Sequence, residues 1–185
     1  MTNDIASELK RLHILTGAEF SRQVESIAQM HIFQPIDNEV GIFGTGNYKD
    51  KDYHNQVRAA RKLVSIGYKV FLLPNPRGVR TPDLIVERRG IYRVYDLKTI
   101  SGESSAINRL KESIGQCNQV ILNMATNYDP RRLARDIKQY FGLNPNAKEV
   151  MILKGTRQIM VKREFALNSD FVWEFMMRYN KKKSR

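Results

Sequence analysis

Residues Thr81 to Thr99 read TPDLIVERRGIYRVYDLKT. Two runs with strand character, residues 84–87 and 91–97, flank a tight turn at Arg88-Arg89-Gly90. The ribbon carries an aspartate near each open end, Asp83 and Asp96, and a lysine follows at Lys98. Asp83 comes straight after Pro82, and proline suits the first residue of a strand because no ladder donor is needed there. With the turn at 88–90, positions 83 and 96 fall near opposite each other, within a slip of one or two residues. Strand alternation puts Tyr92, Val94, Asp96 and Lys98 in one row and Ile91, Arg93, Tyr95 and Leu97 in the other.

The hairpin sits inside an alternation of helices and strands. Helices are expected at 4–15, 18–31, 53–66, 105–116, 130–141 and 169–179. Strands are expected at 68–73 and 119–124, and in a late hairpin of 148–153 and 158–162 around Gly155. The continuous apolar run of 119–124 suits a buried parallel pairing. Residues 33–51, with Pro35, Asp37-Asn38 and three glycines, read as loop, as do 77–80 (RGVR) and 100–104 (ISGES). This order indicates an α/β fold, a mixed sheet with flanking helices. The chain divides into an N-terminal helical extension and loop over 1–50, a core over 51–165, and a C-terminal helix with a basic tail over 166–185.

The chain has 185 residues, 42% hydrophobic and 27% charged, enough for one domain with a sizeable core and a small appendage. No apolar run reaches a membrane span, and the N-terminus has no signal-peptide pattern, so the expected place is the cytoplasm without membrane attachment. One cysteine, Cys117, excludes an internal disulfide framework and a cysteine zinc site. The 31 Lys and Arg against 19 Asp and Glu leave a net charge of +12, a field that attracts polyanions, nucleic acid first among them. His13 and His31 are expected to be partly packed within helical segments, and His54 to face solvent.

Two adjacent carboxylates repel unless a cation lies between them. A hard divalent ion such as Mg²⁺ suits them, and the ion can polarise a phosphoryl oxygen. Lys98 beside it could orient water or stabilise charge on the phosphate, a set suited to phosphodiester hydrolysis. The plainer alternative is that Asp83 caps a turn while Asp96 and Lys98 form a surface ion pair. Basic neighbours at Arg77, Arg80, Arg88 and Arg89 favour the nucleic-acid reading.

Pro82-Asp83 followed by Asp96-Leu97-Lys98 resembles the PD-(D/E)xK signature of metal-dependent nucleases. The segments SIGYKVFLLP, TPDLIV, YDLKT and NRLKESIGQCNQVILNM are similar to the core of the C-terminal nuclease domains of contact-dependent inhibition and related polymorphic toxins, many of which cut tRNA. The likeness covers roughly residues 52–124. It implies a restriction-endonuclease-like core, here with extra N-terminal helices, and Mg²⁺ or Mn²⁺ as cofactor. It implies Asp83 and Asp96 as metal ligands, Lys98 as the catalytic lysine, and Gln116, on the helix after the lysine strand, near the site. Thr99 would position the lysine or a phosphate.

The family's third acid, from the helix before the first core strand, is missing. That helix reads DYHNQVRAARKL, with His54 and Gln56 at the aligned positions and Asp52 just before. Gln56 would ligate through its carbonyl oxygen, or Glu39 or Glu25 would fill the gap. The implied partners are RNA, tRNA in particular, or DNA, and an inhibitor or immunity protein. A nucleic-acid-binding module without catalysis and a basic structural protein of a mobile element stand as alternatives.

Overall fold

The computed structural model describes residues 4–46, 52–76, 80–102 and 105–181. The chain divides into two compact units, Met1–Leu97 and Lys98–Arg185, a boundary within the expected 51–165 core. Both are mixed α/β, as expected.

The first unit opens with α1 (Ile5–Arg11) and α2 (Gly17–Ala28). Asp4 caps α1 by accepting from the Ala6 N–H at 3.1 Å. The helix stops short of the expected residue 15: Leu12 is its C-cap and 12–14 form turns. His13 and His31 both lie outside the helices and are exposed, which corrects the packed placement expected for them. The His13 ring nitrogen donates to the Arg80 carbonyl at 2.6 Å.

Five strands follow in the order β1 (Gln34–Pro35), β2 (Ile42–Gly44), β3 (Lys69–Leu72), β4 (Leu84–Arg88) and β5 (Ile91–Ile100), with α3 (Tyr53–Ser65) packed on β2 and β3. β1 and β2 correct the loop expected over 33–51, of which 47–51 lie outside the described residues. Strands of two and three residues are too short to show a period of two. Pairing creates them: β2 runs parallel to β3, with Ile42 opposite Val70 and Phe43 opposite Phe71. Phe71 stacks on Phe43 at 5.0 Å between ring centroids and meets Phe33 edge-on at 5.7 Å. β3 and β4 are antiparallel, and Leu84, Ile85 and Val86 are buried on both faces.

The second unit begins with the last three residues of β5 and continues through α4 (Ala106–Glu112), β6 (Gln119–Met124), α5 (Pro130–Leu143), β7 (Glu149–Lys154), β8 (Arg157–Lys162), α6 (Arg163–Ala166) and α7 (Phe171–Asn180). β6 pairs parallel with β7, as its unbroken apolar run suggested, and β7 pairs antiparallel with β8. Pro130 occupies the first turn of α5, and Asp129 caps it by accepting from the Arg132 N–H at 2.7 Å. The core gathers Val120, Leu122, Ile137, Phe141 and Ile152 around Phe171, Phe175 and Tyr179, which α7 supplies at helical spacing. Each such large side chain contributes about 1.5–3 kcal/mol by leaving water. The expected α4 overruns the observed one. The Ser113 hydroxyl donates to the Leu110 carbonyl at 2.6 Å and Gly115 turns the chain at φ +82°. Gln116 therefore lies in turns beyond the helix, and Cys117 is a half-buried free thiol before β6. Among the described residues no helix is long and apolar enough to cross a membrane.

Candidate functional site

The β4–β5 hairpin turns at Arg89 (φ +55°) and Gly90 (φ +77°), the pair of left-handed residues that a two-residue hairpin turn requires. The Gly90 N–H also donates to Glu87 Oε1 at 2.6 Å. The register pairs Arg88 with Ile91, Val86 with Arg93, and Leu84 with Tyr95. Side chains opposite one another share a face. Leu84, Val86, Arg88, Ile91, Arg93 and Tyr95 thus lie on one face, and Ile85, Glu87, Tyr92 and Val94 on the other. Alternation places Asp96 with the second set.

At Asp83 the ladder slips by one residue. The Asp83 N–H donates to the Tyr95 carbonyl at 3.0 Å, although Leu84 is the residue opposite Tyr95. β4 has no residue in register to receive the Leu97 N–H, and the Asp83 side chain takes it, with Leu97 N 2.7 Å from Asp83 Oδ2. Leu97 N is two covalent bonds from the Asp96 Cα, so Asp83 Oδ2 lies within about 5 Å of that atom. Sequence spacing set the two aspartates near opposite each other, and this bond holds the Asp83 carboxylate beside the backbone at Asp96.

Asp96 is completely buried. A buried carboxylate is tolerated only when hydrogen bonds or a cation meet its charge, so Asp96 is not half of a surface ion pair. Asp83 is half-buried. β5 continues past Asp96 to Lys98, half-buried and two residues on, which alternation points to the same side of the strand. Thr99 follows, and its hydroxyl accepts from Asn123 Nδ2 at 3.4 Å. Asn123, a buried amide one residue from the end of β6, was not singled out in the sequence; a polar residue inside the run QVILNM is the signal that marks it.

The other expected site residues are placed as follows. Gln116 is half-buried, and its side-chain N–H donates to the Glu112 carbonyl at 3.0 Å within its own turn. Gln56 is half-buried near the start of α3. Glu39 accepts two bonds from the Arg61 guanidinium, the Nε one at 2.8 Å, and that partner holds its carboxyl below the usual carboxylate range. Glu25 is exposed and accepts from Gln29 at 3.2 Å. Among the described residues no three His, Cys, Asp or Glu side chains are grouped to hold a metal ion. Two carboxylates are still a donor set that fits Mg²⁺ or Mn²⁺, since such ions commonly take one or two carboxylates and fill the rest with water.

Arg77 lies outside the described residues, and Arg80 is exposed. Arg88 ends β4 five residues from Asp83, a separation of about 17 Å, and Arg89 follows in the turn. They are not gathered around the carboxylates. With Arg93 they border a separate cavity of about 320 Å³ that Tyr68 and Tyr95 also line, and the Arg88 guanidinium rests 5.1 Å from the centre of the Tyr68 ring. The row that carries Arg93 was legible in the sequence, but its alignment with Arg88 and Tyr68 depends on the register.

No family model and no curated protein matches the chain. Among solved structures it is similar to a CdiA-CT/CdiI toxin and immunity complex from Burkholderia pseudomallei, at 18% identity and a TM-score of 0.42, over 60% of this chain and 85% of that one. At that degree of superposition the likeness carries no argument about activity.

Proposed function

We propose that the chain is a metal-dependent nuclease that hydrolyses phosphodiester bonds, with RNA of tRNA type as its preferred substrate. The observation that supports this reading is the bond from the Leu97 N–H to Asp83, which brings the Asp83 carboxylate within about 5 Å of the Cα of the fully buried Asp96. The resemblance of Pro82-Asp83 and Asp96-Leu97-Lys98 to the PD-(D/E)xK signature supports it. In this reading residues 51–165 form the nuclease core.

Asp83 and Asp96 would hold Mg²⁺ or Mn²⁺, with Gln56 as a further oxygen ligand. The bound ion would supply positive charge to a phosphoryl oxygen. Lys98 donates to the phosphate as negative charge builds on it, and its ammonium can also orient the attacking water. Gln116 and Thr99 position the substrate or the lysine. Arg80 and Arg77 contact the backbone, and Arg88 and Arg89 contact it away from the bond that is cut. An inhibitor protein is the partner that a toxin-like nuclease implies.

The test is cleavage of labelled tRNA, and of DNA of equal length, in Mg²⁺, in Mn²⁺ and in EDTA. Asp96→Asn and Lys98→Met should each slow cleavage by about 10²-fold or more, and EDTA should abolish it. Equal cleavage by the wild type and both variants would remove the assignment. Preferential cutting of DNA would keep the site and change the substrate. Because no third carboxylate is grouped among the described residues, a module that binds without cutting is the second reading. It predicts salt-sensitive binding and no cleavage in any metal.

A further inference from the structure

A second basic site lies wholly within the 98–185 unit. β6 and β7 run parallel in a register that sets Met124 opposite Lys154, so their carboxyl ends are level. Beyond them the chain leaves β6 through residues 125–127, while the β7–β8 turn runs through Gly155 and Thr156. Between these segments is a cleft of about 540 Å³ lined by residues 124–127 and 154–157. Crevices beyond the carboxyl ends of parallel strands are where open α/β sheets bind ligands. This volume falls within the usual range for small-molecule sites.

We propose that this cleft binds a non-scissile backbone phosphate of a nucleic-acid strand. The choice of nucleic acid rests on the nuclease reading; the anion site rests on its own geometry. Among the described residues two cations, Lys154 and Arg157, line the cleft, and no acidic side chain does. Thr126, Asn127 and Thr156 add neutral donors.

Both cations are held in place by the end of α7. Lys154 Nζ lies 3.7 Å from the centre of the Tyr179 ring. Arg157 Nη2 donates to the Arg178 and Tyr179 carbonyls at 3.1 and 2.9 Å. A guanidinium has more donors than those two bonds use, so the anchor leaves it able to meet a phosphate. Anchoring beforehand lowers the ordering cost of binding. Burial, and secondarily the charge of Arg157, lower the pKa of Lys154. An anion between the two cations relieves their repulsion. At Gly155, in the turn with φ +58°, an added Cβ would meet nothing within 4 Å, which leaves room for a strand to approach the backbone. The cleft is tied to the strand that carries Lys98: the Ala125 N–H donates to the Ile100 carbonyl at 2.9 Å, and Asn123 donates to Thr99.

The test is binding of labelled single-stranded RNA by the full chain in EDTA, over a KCl series, for wild type, Lys154→Gln, Lys154→Arg and Thr156→Glu. Thr156 is exposed in the turn, so its variant does not endanger folding. Lys154→Gln and Thr156→Glu should weaken binding about fivefold or more, and Lys154→Gln should reduce the salt slope by about 0.7, while Lys154→Arg retains both. Unchanged affinity and slope in Lys154→Gln and Thr156→Glu would overturn the proposal. A Lys154-dependent site filled by inorganic phosphate alone, with RNA affinity indifferent to Lys154, would assign the cleft to a free anion and overturn it too. The two readings fail separately. If cleavage is absent in every metal, or Asp96→Asn leaves it unchanged, while Lys154→Gln loses RNA, the nuclease reading or its site assignment falls and the cleft stands. If Asp96→Asn stops cleavage while RNA binding ignores Lys154, only the cleft falls.

Discussion

The Asp83 carboxylate has a structural task and a proposed chemical one, and substitution can separate them. It accepts the Leu97 N–H at the point where the β4 ladder slips. Asp83→Ala removes that acceptor and leaves a backbone donor unmet, at a cost of about 1–3 kcal/mol. Asp83→Asn keeps an acceptor oxygen and loses only the charge. Thermal melting should therefore show a clear fall for the alanine variant and a small one for the asparagine, while both lose cleavage. Equal melting of the two variants would show that the Leu97 bond contributes little. Residue types and spacing singled out these candidates: a proline before a strand, an acid after it, and an acid and a lysine two residues apart on the returning strand. The bond to Leu97 was not legible, because it depends on a one-residue slip that apolar alternation does not encode. Gln116 shows the same limit. The helical pattern ran to it, but Ser113 and Gly115 end the helix first.

Between elements, one tyrosine joins α4 to α5. The Tyr128 hydroxyl accepts from the Ala106 N–H at 3.1 Å and donates to Asp136 Oδ2 at 2.9 Å, all three groups being buried. Burial, outweighing the backbone bond from Ala106, raises the Tyr128 pKa and keeps the phenol neutral and able to donate. Tyr128→Phe strands a buried N–H and a buried carboxylate together, so urea unfolding should show a loss of about 1–3 kcal/mol. The pair that ties α3 to residue 39 behaves differently, because Arg61 is exposed. Its hydrogen bond lowers the Glu39 pKa, so the pair stabilises the fold above the ordinary carboxylate value and loses that effect as pH falls through the lower folded value. Glu39→Gln should lower the melting temperature slightly at pH 7 and not at all once the pH is below that range. A deficit that persists in acid would mean that packing, not charge, holds the contact. Elements of six residues or more with a clear apolar pattern, such as the unbroken run of β6 and the helical stripe of α5, were legible. β1, β2 and α6 were not, because two to four residues carry no period and form only where a neighbour supplies hydrogen bonds.

For the molecule as a whole, the net charge of +12 was legible at once, but where it is concentrated was not. Folding gathers some of it at the turn end of the β4–β5 hairpin, where Arg88, Arg89 and Arg93 share a cavity with two tyrosines. More of it lines the cleft of Lys154 and Arg157. In sequence these residues are separate charges in ordinary strands and turns; register and parallel pairing make them groups. This distribution sets a quantitative expectation for polyanion binding. If the charge excess only keeps the chain soluble, few phosphates are neutralised and affinity for RNA changes little with salt. If the basic groups track a strand, several counterions are released on binding, and raising KCl from about 50 to 200 mM should weaken it by about 10³-fold for some six contacts. Single-stranded RNA and single-stranded DNA of the same length should follow parallel lines, because this term is set by phosphates and not by the 2′-hydroxyl. Replacing Arg88 and Arg93 together by Gln should lower the slope by about 1.4 to 1.8, as losing two phosphate contacts requires. A slope near zero for the wild type, or one that the double replacement leaves unchanged, would show that these arginines meet no nucleic acid.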